Sequence, residues 1–163
     1  MNFREKIFAL ADIRGWREQA RREGRRVVVT NGCFDLLHAG HVTYLEAARN
    51  LGDALLVGLN SDASVRRLKG ESRPLNSEQD RALVLAALES VTAVAVFPET
   101  SAAAFLRLVE PDIYVKGADY TREKMNQEER RIVEACGGEI QFLAFVAGKS
   151  TTGLIGRMAG GEK

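Results

Sequence analysis

Five short stretches of this chain are rich in apolar and β-branched residues with little polar alternation, and they limit its fold more than any other feature. They are Val27–Thr30, Ala54–Leu59, Val91–Phe97, Asp112–Val115 and Glu139–Leu143. A strand with one face in water alternates apolar and polar residues, whereas a strand covered on both faces reads as a near-continuous run. Between the runs lie segments of helical period at Gly40–Leu51, Ser77–Leu88, Ser101–Val109 and Arg122–Cys136. This alternation predicts right-handed βαβ units: a Rossmann-like α/β fold, a doubly wound sheet of about five parallel strands with helices on both faces. An N-terminal helix over about Arg4–Glu23 and a short terminal helix over Thr151–Met158 complete the expected elements. Ser77 is placed to cap its helix, and Gly137-Gly138 to end the long one in a left-handed cap. No repeat or linker divides the chain, so residues 1–163 read as one domain, with a leading helix over 1–24 and a core over 25–158.

Composition narrows the partners. Lys plus Arg number 23 against 22 for Asp plus Glu, a net charge of +1, which lacks the basic excess of a nucleic-acid binder. Six arginines fall between Arg14 and Arg26, but Glu18 and Glu23 interrupt them and no aromatic series accompanies them. That segment reads as a solvated helix face, with Trp16 as its anchor to the core. The longest hydrophobic region, Leu83–Phe97, is broken by Glu89 and falls short of a membrane span of about 18 residues. The N-terminus is charged from Arg4, unlike a secretory signal, and Cys33 and Cys136 lack CxxC spacing. A reduced, cytoplasmic protein with no membrane and no nucleic-acid partner is expected.

Ligands of a doubly wound sheet bind beyond the carboxyl ends of its strands, and the first such loop reads NGCFDLLHAGH, Asn31–His41. It holds both histidines of the chain, His38 and His41, on either side of Gly40 at the start of a helix. At this spacing two imidazoles share one side of a turn, and the helix N-terminus adds amides that favour phosphate. Gly40 lets a phosphate approach the backbone. Chance pairing with neighbours is one alternative. A zinc pair is another, but no further Cys or His completes a tetrahedron, so no metal is assigned to the chain. At the other end, Lys149, Ser150, Thr151 and Thr152 precede the terminal helix, with Arg157 two turns in. They suit a second phosphate cluster or an ordinary N-cap. Gly148-Lys149-Ser150 is not a P-loop, because the first required glycine falls at Leu143. Lys69 and Arg73, in LKGESRP, either close over phosphates or belong to a solvated loop. Lys116, Gly117 and Asp119 sit on the ligand edge, and Asp35 is a ligand or a turn residue.

The segment NGCFDLLHAGH resembles the signature of the nucleotidyltransferase superfamily of α/β phosphodiesterases, whose HxGH is shared with class I aminoacyl-tRNA synthetases. In order, NGCFDLLHAGH, LKGESRP, YVKGADY and GKSTTGLIGR are similar to the adenylyltransferase domain of ADP-heptose synthases, over about Arg25–Met158. The resemblance implies adenylyl transfer from ATP to D-glycero-β-D-manno-heptose 1-phosphate, giving ADP-heptose and pyrophosphate for lipopolysaccharide core synthesis. It implies catalytic roles for His38, His41 and Arg157. Nucleotide or phosphate contacts would come from Cys33, Phe34, Gly40, Lys116, Gly117, Asp119, Ser150, Thr151 and Thr152. Asn31, Asp35, Lys69 and Arg73 are candidates for substrate binding. Mg²⁺ is expected on the nucleotide phosphates, and the family adds a homodimer. The sugar-kinase domain of the bifunctional synthases has no counterpart in this sequence: either a separate protein supplies that part of the pathway or the chain is an excised piece, and the helix expected before the first strand favours a stand-alone enzyme. The alternatives are a CTP-dependent cytidylyltransferase for glycerol 3-phosphate or a similar acceptor, and a non-catalytic nucleotide-binding module.

Overall fold

A computed structural model describes residues 2–144 and Gly156. Its strands are β1 (Ile7–Phe8), β2 (Val27–Gly32), β3 (Ala54–Asn60), β4 (Ala93–Phe97), β5 (Ile113–Gly117) and β6 (Glu139–Leu143). They form one sheet in the order β1-β4-β3-β2-β5-β6, and every pairing is parallel. The helices are α1 (Ile13–Arg22), α2 (Ala39–Arg49), α3 (Asp62–Lys69), α4 (Glu78–Ala87), α5 (Ala103–Val109) and α6 (Gln127–Ala135). Among the described residues no helix is long and apolar enough to cross a membrane.

Successive strand residues serve opposite faces of the sheet, which explains the unbroken apolar runs. Val27, Val29, Leu56 and Tyr114 pack with Ile13 and Ala20 of α1, Phe105 and Leu106 of α5, and Val133 of α6. Val28, Leu55, Val57 and Val115 pack on the other side with Leu45 and Ala48 of α2 and Leu85 and Ala86 of α4. Ser77 caps α4 as expected, its hydroxyl accepting the Asp80 amide at 3.2 Å. At the end of α6, Gly137 has φ +80°. The Gly138 and Gly137 amides there return to the carbonyls of Val133 (2.9 Å) and Glu134 (3.1 Å), the paired bonds of a Schellman cap.

Three expectations are corrected. The leading helix does not reach back to Arg4: Phe3–Lys6 is a 3₁₀ turn, and Ile7–Phe8 adds a sixth strand by pairing with Val94 and Ala95. Ile7 packs into one core and Phe8 into the other, a two-residue period that no helix supplies. The helix expected from Arg122 starts at Gln127, because the Asn126 side chain accepts the amides of Glu128 (2.9 Å) and Glu129 (3.2 Å) and founds it there. In the arginine-rich segment, Arg17 is buried at 3% exposure, not solvated. It binds the Val109 carbonyl (2.9 Å) and Asp112 (2.9 Å), capping α5 and fixing the start of β5. Trp16 packs against the core and lies 6.0 Å from the Phe8 ring.

The strand order turns about β2, with β3 on one side and β5 on the other. The main-chain ladder between β2 and β5 holds at Val28–Ile113 and Val29–Tyr114. One residue on, side chains replace it: the Thr30 and Tyr44 hydroxyls each donate to the Val115 carbonyl at 3.1 Å. There the two strands part and a crevice opens, at the switch point where doubly wound sheets bind ligands.

Arg81 of α4 pins the loops at this crevice. Its side chain is fully buried. The guanidinium donates to the carbonyls of Cys33, Asn60 (2.9 Å) and Asn76 (3.1 Å) and to the Asp62 carboxylate (2.8 Å). Replacing Arg81 with Leu strands these acceptors away from water and is expected to lower stability by about 3 kcal/mol. Replacing Arg14, whose pair with Glu18 is exposed, should cost less than about 0.5 kcal/mol. Urea denaturation measures both.

Candidate active site

The crevice holds a cleft of about 460 Å³, lined from β2 by Asn31, from the following loop by Cys33 and Phe34, and from α2 by His41. Lys69 and Arg73 line one end, and Lys116, Gly117, Tyr120 and Glu129 the other. The structure thus brings together residues from three of the resembling segments. Asp119 is exposed and is not among the lining residues. Ser150, Thr151, Thr152 and Arg157 lie outside the described residues.

His38 is the N-cap of α2, and its carbonyl accepts the His41 amide at 2.9 Å. The imidazoles of His38 and His41 stack with centroids 3.9 Å apart and planes 26° from parallel. The Phe34 ring meets His41 edge-on at 5.4 Å. Burial, with the neighbouring His38 adding to it, pushes the His41 imidazole down to about 4. His41 is therefore neutral near pH 7 and offers one N–H donor without charge. Its Nδ1 is buried with no hydrogen-bond partner among the described residues, and Gly40 is buried beside it. Phe34 has φ +44°, a left-handed conformation that is rare for an aromatic residue and costs roughly 1–3 kcal/mol.

Asp35 holds that strained turn. Its carboxylate accepts the amides of Leu75 (2.9 Å) and Asn76 (3.0 Å) and the Arg73 Nε (2.6 Å), while its carbonyl accepts from the Asn76 side chain (2.9 Å). Burial pushes this carboxyl up, but the two amides and the guanidinium outweigh it and hold it below its ordinary value. Asp35 is thus occupied in joining the histidine loop to the loop that carries Lys69 and Arg73. Burial also pushes the Cys33 thiol up, which suits a lining residue and not a nucleophile.

At the far end, the Lys116 Nζ donates to Asn31 Oδ1 (3.1 Å) and lies 3.3 Å from Glu129 Oε2. Glu129, Tyr114, Tyr120 and Arg81 were not anticipated from sequence. The one local signal for Glu129 is its place three residues after the Asn126 cap, which ties its backbone to a fixed helix start.

The profile of the cytidylyltransferase-like family matches residues 29–150. "Bifunctional protein HldE" of Syntrophotalea carbinolica is 50% identical over 158 residues, which is 97% of this chain and 32% of the relative. The protein of the same name from Pelobacter propionicus is 53% identical over 141 residues, 86% of this chain and 28% of the relative. The chain therefore spans less than a third of the length of these relatives. A crystal structure of the lipopolysaccharide core biosynthesis protein from Thermoplasma volcanium GSS1 aligns with a TM-score of 0.61 at 28% identity, covering 76% of this chain and 98% of that one. Pantoate-beta-alanine ligase from Francisella tularensis, at a TM-score of 0.60 and 13% identity over 85% of this chain and 66% of its own, shares the fold alone.

The depressed His41 value fixes a pH dependence. Between its ordinary 6.5 and about 4 the folded chain binds fewer protons at His41 than the unfolded chain. Stability from this group is complete above 6.5 and falls as pH drops toward about 4, whereas the Asp35 contribution is lost only below the ordinary carboxylate range. Denaturant titrations across that interval should show a shallower loss for His41→Asn than for the parent.

Proposed function

The chain belongs to the cytidylyltransferase-like family, and on that premise we propose that it transfers an adenylyl group from ATP to D-glycero-β-D-manno-heptose 1-phosphate, releasing pyrophosphate. The observation that carries this reading is the stacked His38–His41 pair at the start of α2, in a chain about half identical to HldE proteins over most of its length. The acceptor phosphate is already ionised near neutral pH, so no general base is required. The task is to hold two polyanions in line and to stabilise charge at the α-phosphorus and on the leaving pyrophosphate.

A neutral imidazole suits that task. It donates a hydrogen bond to an α-phosphate oxygen without first giving up a proton, and the two stacked rings avoid the repulsion of two imidazoliums. The first-turn amides of α2 supply further donors beside buried Gly40. Lys69 and Arg73 face the phosphates from the opposing loop. Ser150, Thr151, Thr152 and Arg157 are assigned the pyrophosphate end on the strength of the family resemblance.

Among the described residues no group of three His, Cys, Asp or Glu side chains could hold a metal. The cleft carboxylates Asp35 and Glu129 are already engaged by several donors. The residues present therefore fit Mg²⁺ carried on the nucleotide phosphates and water, as part of the substrate. We take the protein to be cytoplasmic, in keeping with its two free cysteines. We also take it to be a homodimer as the family implies, which sedimentation would check.

Pyrophosphate release, with ATP or CTP paired in turn with heptose 1-phosphate and glycerol 3-phosphate, tests the assignment. Turnover confined to ATP with the heptose phosphate is expected. Turnover with CTP moves the reading to a cytidylyltransferase, and nucleotide binding without release to a non-catalytic module. His38→Ala and His41→Ala should each lower turnover at least about 100-fold, the scale for loss of a preorganised donor, with the folded circular dichroism spectrum retained. Near-normal rates in both would remove the histidines from the chemistry.

A further inference from the structure

Among the described residues, Tyr44 is the only side chain of α2 that hydrogen-bonds to the sheet. Its hydroxyl lies 2.9 Å from Thr30 Oγ1 of β2 and donates to the Val115 carbonyl of β5 at 3.1 Å, where the ladder between those strands stops. The residue is 5% exposed. Burial pushes the phenol above its ordinary value against the pull of the Thr30 bond, so it keeps its proton and remains a donor. Two further anchors of α2, Leu45 and Ala48, are fully buried and apolar. Contact of that kind holds a helix down on a sheet but is non-directional, whereas a hydrogen bond weakens as its angle departs from linear. Tyr44 thus sets where α2 stands along and about its own axis. One turn back on the same face stands His41. An imidazole is ordinarily oriented by the hydrogen bond of its second nitrogen, but His41 Nδ1 is buried without one among the described residues. Its ring is placed by its contacts with His38 and Phe34 and by the backbone that carries it.

We propose that Tyr44 is a positioning residue for the transfer step: its hydroxyl, braced between β2 and β5, fixes the first turns of α2 and through them the place of the His41 ring in the cleft. The inference rests on the reading of His41 as a donor to the transferred phosphate. Tyr44 borders the cleft, but its hydroxyl is taken up by the two strands, so it acts on the reaction through the helix and not by contact. Misplacing a reacting group by about 1 Å costs on the order of 100-fold in rate, so a fraction of that displacement is measurable. Such a loss falls on the transition state and leaves ground-state binding by the rest of the cleft intact. Thr30 belongs to the same hydroxyl cluster but not to the helix. Removing its hydroxyl therefore takes a bond from the cluster and leaves the link from Tyr44 to Val115 in place.

Tyr44→Phe and Thr30→Val, compared with the parent, test this. Each removes one hydroxyl and leaves the Val115 carbonyl the other as its donor, so neither strands a buried acceptor and both keep the side-chain volume of the core. With ATP and heptose 1-phosphate, Tyr44→Phe should lower kcat at least about tenfold, with KM for both substrates within about twofold of the parent. Thr30→Val should keep kcat within about twofold. The chain has two histidines, so the ¹H–¹⁵N spectrum of its imidazoles contains their signals alone. Those of His41 should move in Tyr44→Phe and stay in Thr30→Val. A smaller loss of kcat in Tyr44→Phe, a loss confined to KM, or an equal loss in Thr30→Val overturns the proposal. So do His41 signals that are unmoved in Tyr44→Phe or displaced alike in both variants. If the parent itself shows no turnover, the transferase reading fails, and the imidazole spectrum alone then decides whether Tyr44 places His41.

Discussion

One buried guanidinium holds the cleft in shape. Arg81 joins the loop after β2, the end of β3, the start of α3 and the turn before α4, through three carbonyls and one carboxylate. Cys33 and Asn76 lie in loops and Asn60 is the last residue of β3, so the guanidinium takes up carbonyls where the regular ladders stop. The strained Phe34 and the histidines that follow it are fixed relative to the sheet because their loop hangs from this side chain and from Asp35. The arrangement costs desolvation of a charge. Five N–H donors in a rigid plane let one residue satisfy several pieces of chain at once, which a lysine could not do.

Charge in the cleft is arranged in the same economical manner. Buried carboxylates are used as internal counterions, Asp35 against Arg73 and Glu129 against Lys116, and His41 is kept neutral by burial and by the neighbouring His38. An anionic ligand entering the cleft would therefore meet a neutral His41 and a cationic rim, not a concentration of bare charge that water would have to solvate in the empty protein. Preorganisation of this kind is where electrostatic catalysis takes its advantage, since the donors need no reorientation when charge develops.

The sheet and the placing of the histidine loop at its ligand edge were legible in the sequence because their signals are local. Runs such as Val27–Thr30 need only their own residues to declare burial on both faces, and Ser77 and Gly137-Gly138 state their caps within a few positions. Ile7–Phe8 was hidden for the opposite reason: two residues become a strand only because the distant edge of β4 is there to pair with them. Arg17, Arg81 and Glu129 were hidden because a buried charge and a solvated one look alike until the partner, many positions away, is brought to it. Asp35 could be recognised as a residue of the loop, but its work as a link to Leu75 and Asn76 depends on tertiary docking. The terminal segment with Arg157 was recognised by motif alone.

The two walls of the cleft are made far apart in the chain. Asn31 meets Tyr114 and Lys116 across 83 and 85 positions of sequence. During synthesis at roughly 5–20 residues per second, the β2–α2–β3 unit is complete roughly 3–11 seconds before β5 can dock beside it. Throughout that interval the nascent chain presents the histidine turn and one unpaired edge of β2, a surface suited to a chaperone and open to mispairing. Parallel partners of such long separation are slow to close. A nucleotide cannot hasten the step by serving as a template, because half of the cleft that would hold it has not yet been translated.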